Sequence, residues 1–284
     1  MSGADAPSQV KLPGAAREKS SMFAALRERA VYASIGLVSV AIVVFAYYYV
    51  SSSKMLPWYF LPPLEDIWGV FIGMIYEPFA GATLEVHLII TVQRLVISFI
   101  IAVALAIPLG FAAGMNKWCQ AALYPIVEFI RPISAMAFIP LLIVWFGIGE
   151  TSKVLALLKA GFFPMFLNIV AGIKNVNKTL VTAAYTLGAN QRQVSFEVIF
   201  PATVPYIMAG IRIGLGVMWS TIITAELIAA PTGLGHLIFM AREWASTDIV
   251  MMGIIIIGLV SILLDKGIRL LDERLTRWQE RPIR

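Results

Sequence analysis

The feature that most constrains this chain is a series of six apolar stretches, most of them long enough to cross a lipid bilayer. They fall at about residues 31–50, 88–113, 121–146, 154–173, 205–230 and 249–264. A helix needs about 20 predominantly apolar residues to span the hydrocarbon core. No water reaches backbone groups there, so the spanning element must satisfy its own N–H and C=O groups, as a helix does. The expected fold class is therefore an all-α integral membrane protein with six transmembrane helices. Pro108, Pro125, Pro132, Pro140 and Pro164 interrupt several stretches. Pro132 and Pro140 leave open whether the third stretch is one kinked span or two pieces.

Composition agrees. Of 284 residues, 59% are hydrophobic and 14% charged, with a mean hydropathy of +0.82. Soluble domains carry roughly a quarter charged residues. The balance excludes a soluble enzyme, a disordered chain and a nucleic-acid binder. A net charge of +5 then reads as topology, because Lys and Arg accumulate on the cytoplasmic side of membrane proteins. Placing both tails and the 115–120 and 174–204 loops inside puts fifteen of the 22 Lys/Arg there. Lys54, Lys153 and Arg242 fall outside, and Arg94, Arg131, Lys159 and Arg212 within spans. Both termini are expected in the cytoplasm.

The chain then divides into a polar tail over 1–30, with a surface helix near 21–29, and a first span with an extracytoplasmic segment over 31–83. A core over 84–270 follows, then a tail over 271–284. Residues 61–68 are expected to start an interfacial helix with Trp58, Tyr59 and Trp68 at headgroup level. The Gly233–Gly235 turn leads into an amphipathic piece over 236–244.

Much chemistry is missing. Cys119 is the sole cysteine. His87 and His236 stand apart from any ligand cluster, so no metal site is expected. The phosphate-binding loop G-x-x-x-x-G-K-[ST], the G-x-S-x-G elbow and the H-E-x-x-H pair do not occur. No catalytic residue and no cofactor on this chain are expected. G-x-x-x-G occurs at Gly110–Gly114 and Gly210–Gly214, most simply as helix packing.

The 174–204 loop is the most informative stretch. Thr182-Ala183-Ala184-Tyr185-Thr186-Leu187-Gly188-Ala189 combines small residues with helix formers. Gly188 suits a left-handed helix end. Phe196-x-Val198-x-Phe200-Pro201 follows, and Pro205 opens the fifth span. A short apolar helix exposed in a polar loop is best explained by a partner groove.

Here the chain resembles the membrane subunit of bacterial binding-protein-dependent ABC importers. That family carries E-A-A-x-x-x-G and, after about nine residues, I-x-L-P. This chain has Thr182-Ala183-Ala184-x-x-x-Gly188 and Val198-Ile199-Phe200-Pro201, with Thr182 where Glu is usual. Arg131-Pro132-Ile133-Ser134, Trp145-Phe146-Gly147-Ile148-Gly149-Glu150, Ser152-Lys153, Ala225-Glu226 and Gly233-Leu234-Gly235 resemble the sulfonate, taurine and nitrate subgroup.

The resemblance implies a type I importer permease fold in the bacterial inner membrane. It implies two copies of a cytoplasmic ATPase, which hold ATP and Mg, and a second permease copy, by default identical. It also implies a soluble or lipid-anchored binding protein that delivers the substrate. Thr182, Ala183, Ala184, Leu187, Gly188, Ala189, Phe196 and Pro201 would form the ATPase-coupling loop. The subgroup implies a small organic anion, with alkanesulfonate or taurine first. Nitrate, bicarbonate, an aromatic carboxylate and a pyrimidine precursor are the alternatives. An ion-coupled secondary transporter is the rival class, but it leaves the docking loop unused and needs inverted repeats that the sequence does not show.

Charges inside spans are costly and so informative, at roughly 2.5–3.5 kcal/mol each on insertion scales. Arg94, Arg131, Lys159, Arg212 and Glu226 line a polar path for an anion, or pair between helices. Arg94 is placed to meet an anion, whereas Lys159 and Arg212 are more simply snorkelling or paired. Glu226 stands even between the two readings. Ser134, Met136, Trp145, Phe146 and Trp219 complete the candidate translocation path or gate. The three aromatics are more simply packing residues, and Glu128 and Asn168 are read as helix-to-helix hydrogen-bonding groups.

Overall fold

One face of a single helix sets the frame. In helix α3 (Leu84–Met115) the buried residues recur every three or four positions: His87, Thr91, Arg94, Ser98, Ala102, Ala106 and Gly110. That spacing places them on one stripe. Its first half is polar and its second half small. Ile89, Ile97 and Ile100, off the stripe, are exposed as lipid-facing side chains would be.

The computed structural model describes residues 15–53, 57 and 59–276. Lys11 and the basic side chains of the 1–30 tail, Lys54, Trp58, Arg277, Arg281 and Arg284 lie outside this description. The chain divides into two units, Met1–Leu64 and Glu65–Arg284.

In the first unit, helix α1 (Ala15–Ser52) is continuous over 38 residues. It takes in the apolar span Ser34–Ser52 and the surface helix expected near 21–29, so the polar tail is helical from Ala15 onward. Tyr47 Oη donates to the Pro62 carbonyl at 2.7 Å and folds the following segment back along the helix.

In the second unit, helix α2 (Leu64–Tyr76) forms where the sequence leads one to expect an interfacial helix, with Glu65 and Asp66 favourably placed in its first turn. Trp68 is exposed and stacks on Phe71. Next come α3, α4 (Lys117–Ile130), α5 (Ala135–Phe146) and α6 (Glu150–Lys174), then the short α7 (Lys178–Thr186). A single turn, α8 (Gln191–Gln193), leads through a π-turn at Val194–Ile199 into α9 (Phe200–Ala229). Helices α10 (Leu234–Glu243) and α11 (Thr247–Leu275) complete the unit.

Helix α6 is the centre. A Cβ on Gly110 would lie 2.8 Å from Ile169 Cγ2, and one on Gly114 2.6 Å from Ile173 Cδ1. Both G-x-x-x-G glycines of α3 therefore press on α6, and partners rise together in number, so α3 and α6 run parallel. On its other side Gly161 meets Met218, and Gly172 meets Tyr206 and Thr203. These partners fall as the numbers rise, so α6 and α9 are antiparallel. Gly210 and Gly214 press on Asn168 and Met165, so the second G-x-x-x-G also serves close packing. Phe166, Leu157, Met165, Met218 and Ile222 fill the core between them.

Two parallel helices in sequence need a return crossing. Helices α4 and α5 supply it as a pair bent by 98°. Pro125 and Pro140 sit inside the two helices, and the break contains Pro132, whose missing N–H cannot continue the ladder. Ser134 then starts α5 by accepting the Met136 N–H. Among the described residues, five helices are long and apolar enough to cross a membrane, and six spans result if the bent pair counts as one.

Candidate functional site

Each end of the helical core carries a distinct structure, and a cleft opens at the break between α4 and α5.

At the end where α3 and α6 begin, four charged residues form one neutral network. Arg94 Nε and Nη2 donate to the two oxygens of Glu150 at 2.6 and 2.7 Å. Arg94 Nη1 donates to Glu226 Oε1 at 2.8 Å and to the Thr232 carbonyl at 2.6 Å. Lys153 Nζ reaches Glu150 at 2.9 Å. Arg94, Lys153 and Glu226 are buried, whereas the Glu150 side chain is 60% exposed.

The Gly233-Leu234-Gly235 turn completes the network. Gly235 N–H donates to Glu226 Oε2 at 2.9 Å, and Leu234 N–H to Thr91 Oγ1 at 2.9 Å. Thr91 Oγ1 in turn lies 2.9 Å from Glu226 Oε1. Gly233 N–H donates to His87 Nδ1, which leaves the His87 proton on Nε2 for the Phe79 carbonyl. Gly233 has φ +134°, and a Cβ there would lie 2.4 Å from the Glu226 carboxylate. Only glycine lets the start of α10 close on this buried charge. Arg94, expected to meet an anion, is thus held by two carboxylates of its own chain. Glu226 is paired between helices, and Glu150, Thr91 and His87 are members that sequence reasoning missed.

At the opposite end stands the loop. Asn177 caps α7 by accepting the Thr179 N–H. Gly188 (φ +87°) closes it in the expected left-handed conformation, with Ala189 N–H returning to the Ala184 carbonyl. Leu187 is 88% and Phe196 67% exposed. Thr182, Ala183 and Gly188 are exposed too, while Pro201 is half-buried. Ala184 and Ala189 are half-buried, and both pack on the core that contains Val194 and Ile199. Their small size serves a fit within the chain. A reciprocal Asn190–Gln193 capping box starts α8, and the π-turn carries the chain on into α9.

The third feature is a cleft of about 600 Å³ at the α4–α5 break. Arg131, Ser134, Met136, Lys159, Ser220 and Thr221 contribute to its wall. Lys159 Nζ hydrogen-bonds the Ile133 carbonyl and lies 4.9 Å from the Phe138 ring centroid. The cleft gathers Ser134 and Met136 from the expected path, and the two cations Arg131 and Lys159.

Other expected path residues lie elsewhere. Trp145 and Phe146 are exposed at the far end of α5, about 16 Å of helix rise beyond Ser134. Trp219 is buried in the core, and its Nε1 has no hydrogen-bond partner among the described residues. Arg212 forms an exposed interhelical pair with Asp265 at 2.9 Å, which bears out the pairing reading. Asn168 departs from the expected interhelical bond, because its Nδ2 donates to the Pro164 carbonyl one turn back in its own helix.

The described residues thus form an all-helical core with five to six candidate spans and an exposed, capped loop. Residues 106–277 match the family described as "Binding-protein-dependent transport system inner membrane component", and the chain belongs to that family. It is an ABC importer permease of the taurine, sulfonate and nitrate subgroup, a transport subunit of the inner membrane whose ATPase lies on a separate chain. It is 40% identical over 251 residues to the taurine transport permease TauC of Escherichia coli K12, covering 88% of this chain and 90% of that protein. To the putative aliphatic sulfonates permease SsuC of Bacillus subtilis 168 it is 36% identical over 193 residues, 68% of this chain and 70% of the relative. To the nitrate import permease NrtB of Synechococcus elongatus it is 27% identical over 212 residues, 72% and 76% of the two chains. In fold it resembles a chain of the inward-facing MetNI methionine ABC transporter, with TM-score 0.51, 17% identity, and 63% of this chain and 92% of that one covered.

Proposed function

We propose that this chain forms the pore of an ATP-driven importer for a small organic anion, alkanesulfonate or taurine. The single observation that carries the substrate is the likeness to the taurine permease over nearly the whole of both chains. Two identical copies make the pore, both termini lie in the cytoplasm, and an extracytoplasmic binding protein hands over the substrate. ATP and Mg are held by two copies of the partner ATPase.

The geometry supports a mechanical role. Leu187 and Phe196 present apolar surface at the loop, where an ATPase groove would desolvate them. Val181, Ala184 and Ala189 bind the loop to the same core as the π-turn. From Gln191 to Ile228 the chain forms one long helical segment, so a push on α7 is carried along α9. At its far end α9 holds Glu226, tied to Arg94 of α3 and Gly235 of α10. A displacement at the docking loop therefore reaches three helices at the opposite end through one continuous rod.

The test is uptake by the permease with its ATPase and binding protein in proteoliposomes. Taurine and ethanesulfonate should enter with ATP and should compete with each other. Uptake of nitrate with neither sulfonate carried would replace this substrate by the nitrate reading.

A further inference from the structure

The structure sorts the four cations that the sequence places inside spans into two kinds. Arg94 is paired with Glu150 and Glu226, and Arg212 with Asp265. Arg131 and Lys159 have no carboxylate partner among the described residues. Both unpaired cations line the same cleft, and no carboxylate lines it. An ionisable group left unneutralised at membrane depth is costly and points to a function.

The remaining wall has matching chemistry. Ser134 Oγ accepts the Met136 N–H, and its own proton has no acceptor among the described residues. The backbone is broken at this depth, where irregular structure persists only if buried in protein or facing a water-filled cavity. Lys159 binds the Ile133 carbonyl at the break, so its charge is held at the cleft wall. It cannot be drawn fully toward headgroups while it keeps that bond.

We infer that the cleft at the α4–α5 break is the transit site for the anion, with Arg131 and Lys159 supplying the counter-charge and Ser134 a hydrogen bond. The ligand class is a small anion with two or three terminal oxygens, a sulfonate or a carboxylate. Two cations without a resident carboxylate attract such an anion and repel cations. Neither cation is salt-bridged to a carboxylate among the described residues, and Glu128, one turn before Arg131, is engaged by Tyr124, so both cations can meet an anion and release it again. The inference rests on the reading of the chain as an anion importer's pore, and it places that function on residues distinct from the Arg94 network.

Two measurements on the complete permease–ATPase complex test it. The first is independent of the transported compound. In a Cys119→Ser background, Ser134→Cys is reacted with a sulfonatoethyl and with a trimethylammonioethyl methanethiosulfonate. The anionic reagent should react faster, by about tenfold per nearby cation at low salt relative to a cysteine at an uncharged exposed site. Adding Lys159→Met should remove about tenfold from that ratio. A ratio no higher than the exposed control, a ratio unmoved by Lys159→Met, or no reaction with either reagent would each overturn the inference.

The second measurement is sulfonate uptake by Lys159→Met and Arg131→Gln variants that still co-purify with the ATPase. Uptake should fall at least tenfold, and unchanged uptake would overturn the transit site. If the unsubstituted complex carries no sulfonate at all, the substrate reading fails, and the labelling ratio alone decides the cleft.

Discussion

Arg94 and Glu226 stand 132 positions apart and meet at 2.8 Å, inside the protein, where helices α3 and α9 approach the start of α10. The same guanidinium forks onto Glu150 and reaches the Thr232 carbonyl, so one side chain joins four segments. The sequence offered it as a meeting point for an anion or as an interhelical pair, and four of its five N–H donors are engaged by groups of its own chain.

Removing Arg94 should leave Glu226 buried with a charge that only neutral donors then face. Breaking one side of a buried pair typically costs about 3–5 kcal/mol. Arg94→Gln should therefore lower the thermal unfolding temperature in detergent by many degrees, and Arg94→Met with Glu226→Met should recover much of the loss. An Arg94→Gln protein that unfolds at the original temperature would refute the clamp.

Gly233→Ala tests the turn. The backbone at φ +134° is one that a side chain disfavours by about 1–3 kcal/mol, and the new methyl would also strike the Glu226 carboxylate. The predicted result is faster proteolysis between α9 and α10 than in the parent protein. Equal resistance would show that the turn accommodates a Cβ.

At the loop, exposed and inward residues should separate. Leu187→Asp and Phe196→Asp should abolish co-purification of the ATPase while leaving thermal stability within about 0.5 kcal/mol of the parent, as exposed substitutions usually do. Ala184→Glu should lower stability, because Ala184 packs on the chain's own core. If Ala184→Glu is as stable as the parent, the inward packing is not what selects alanine there.

The α3–α6 contact offers a compensation test. Gly110→Ala puts a methyl 2.8 Å from Ile169 Cγ2, and overpacking of this kind costs about 1–3 kcal/mol. Ile169→Ala on top of Gly110→Ala should restore part of the stability, measured by thermal unfolding in detergent. Additive loss in the double variant would mean that the two side chains do not meet.

The legible part of the fold was whatever follows from local pattern. Six apolar stretches correspond to the candidate spans, with the third resolved into the bent α4–α5 pair. Gly188 ends α7 as its type and position require. The G-x-x-x-G pairs were read as helix packing, which holds, but only the positions of Ile169, Ile173 and Met165 show that both press on one helix. Residue type left Trp145, Phe146 and Trp219 between packing and a gate, with packing the simpler; only the structure separates them, Trp219 into the core and the other two onto an exposed helix end.

The sequence by itself determined that this chain belongs in a bilayer, where its candidate spans lie, and where an exposed capped loop interrupts them. Those follow from hydrophobic length and from capping, which act over neighbouring residues. The tertiary structure decided which charges are neutralised and which are left free. Arg94 and Lys159 look alike in sequence, each a lone cation in an apolar run. Partners 56 and 132 residues away neutralise the first, whereas the second faces a cleft with a carbonyl and two rings. Coulomb interaction depends on distance in space, and no local pattern in the chain records it.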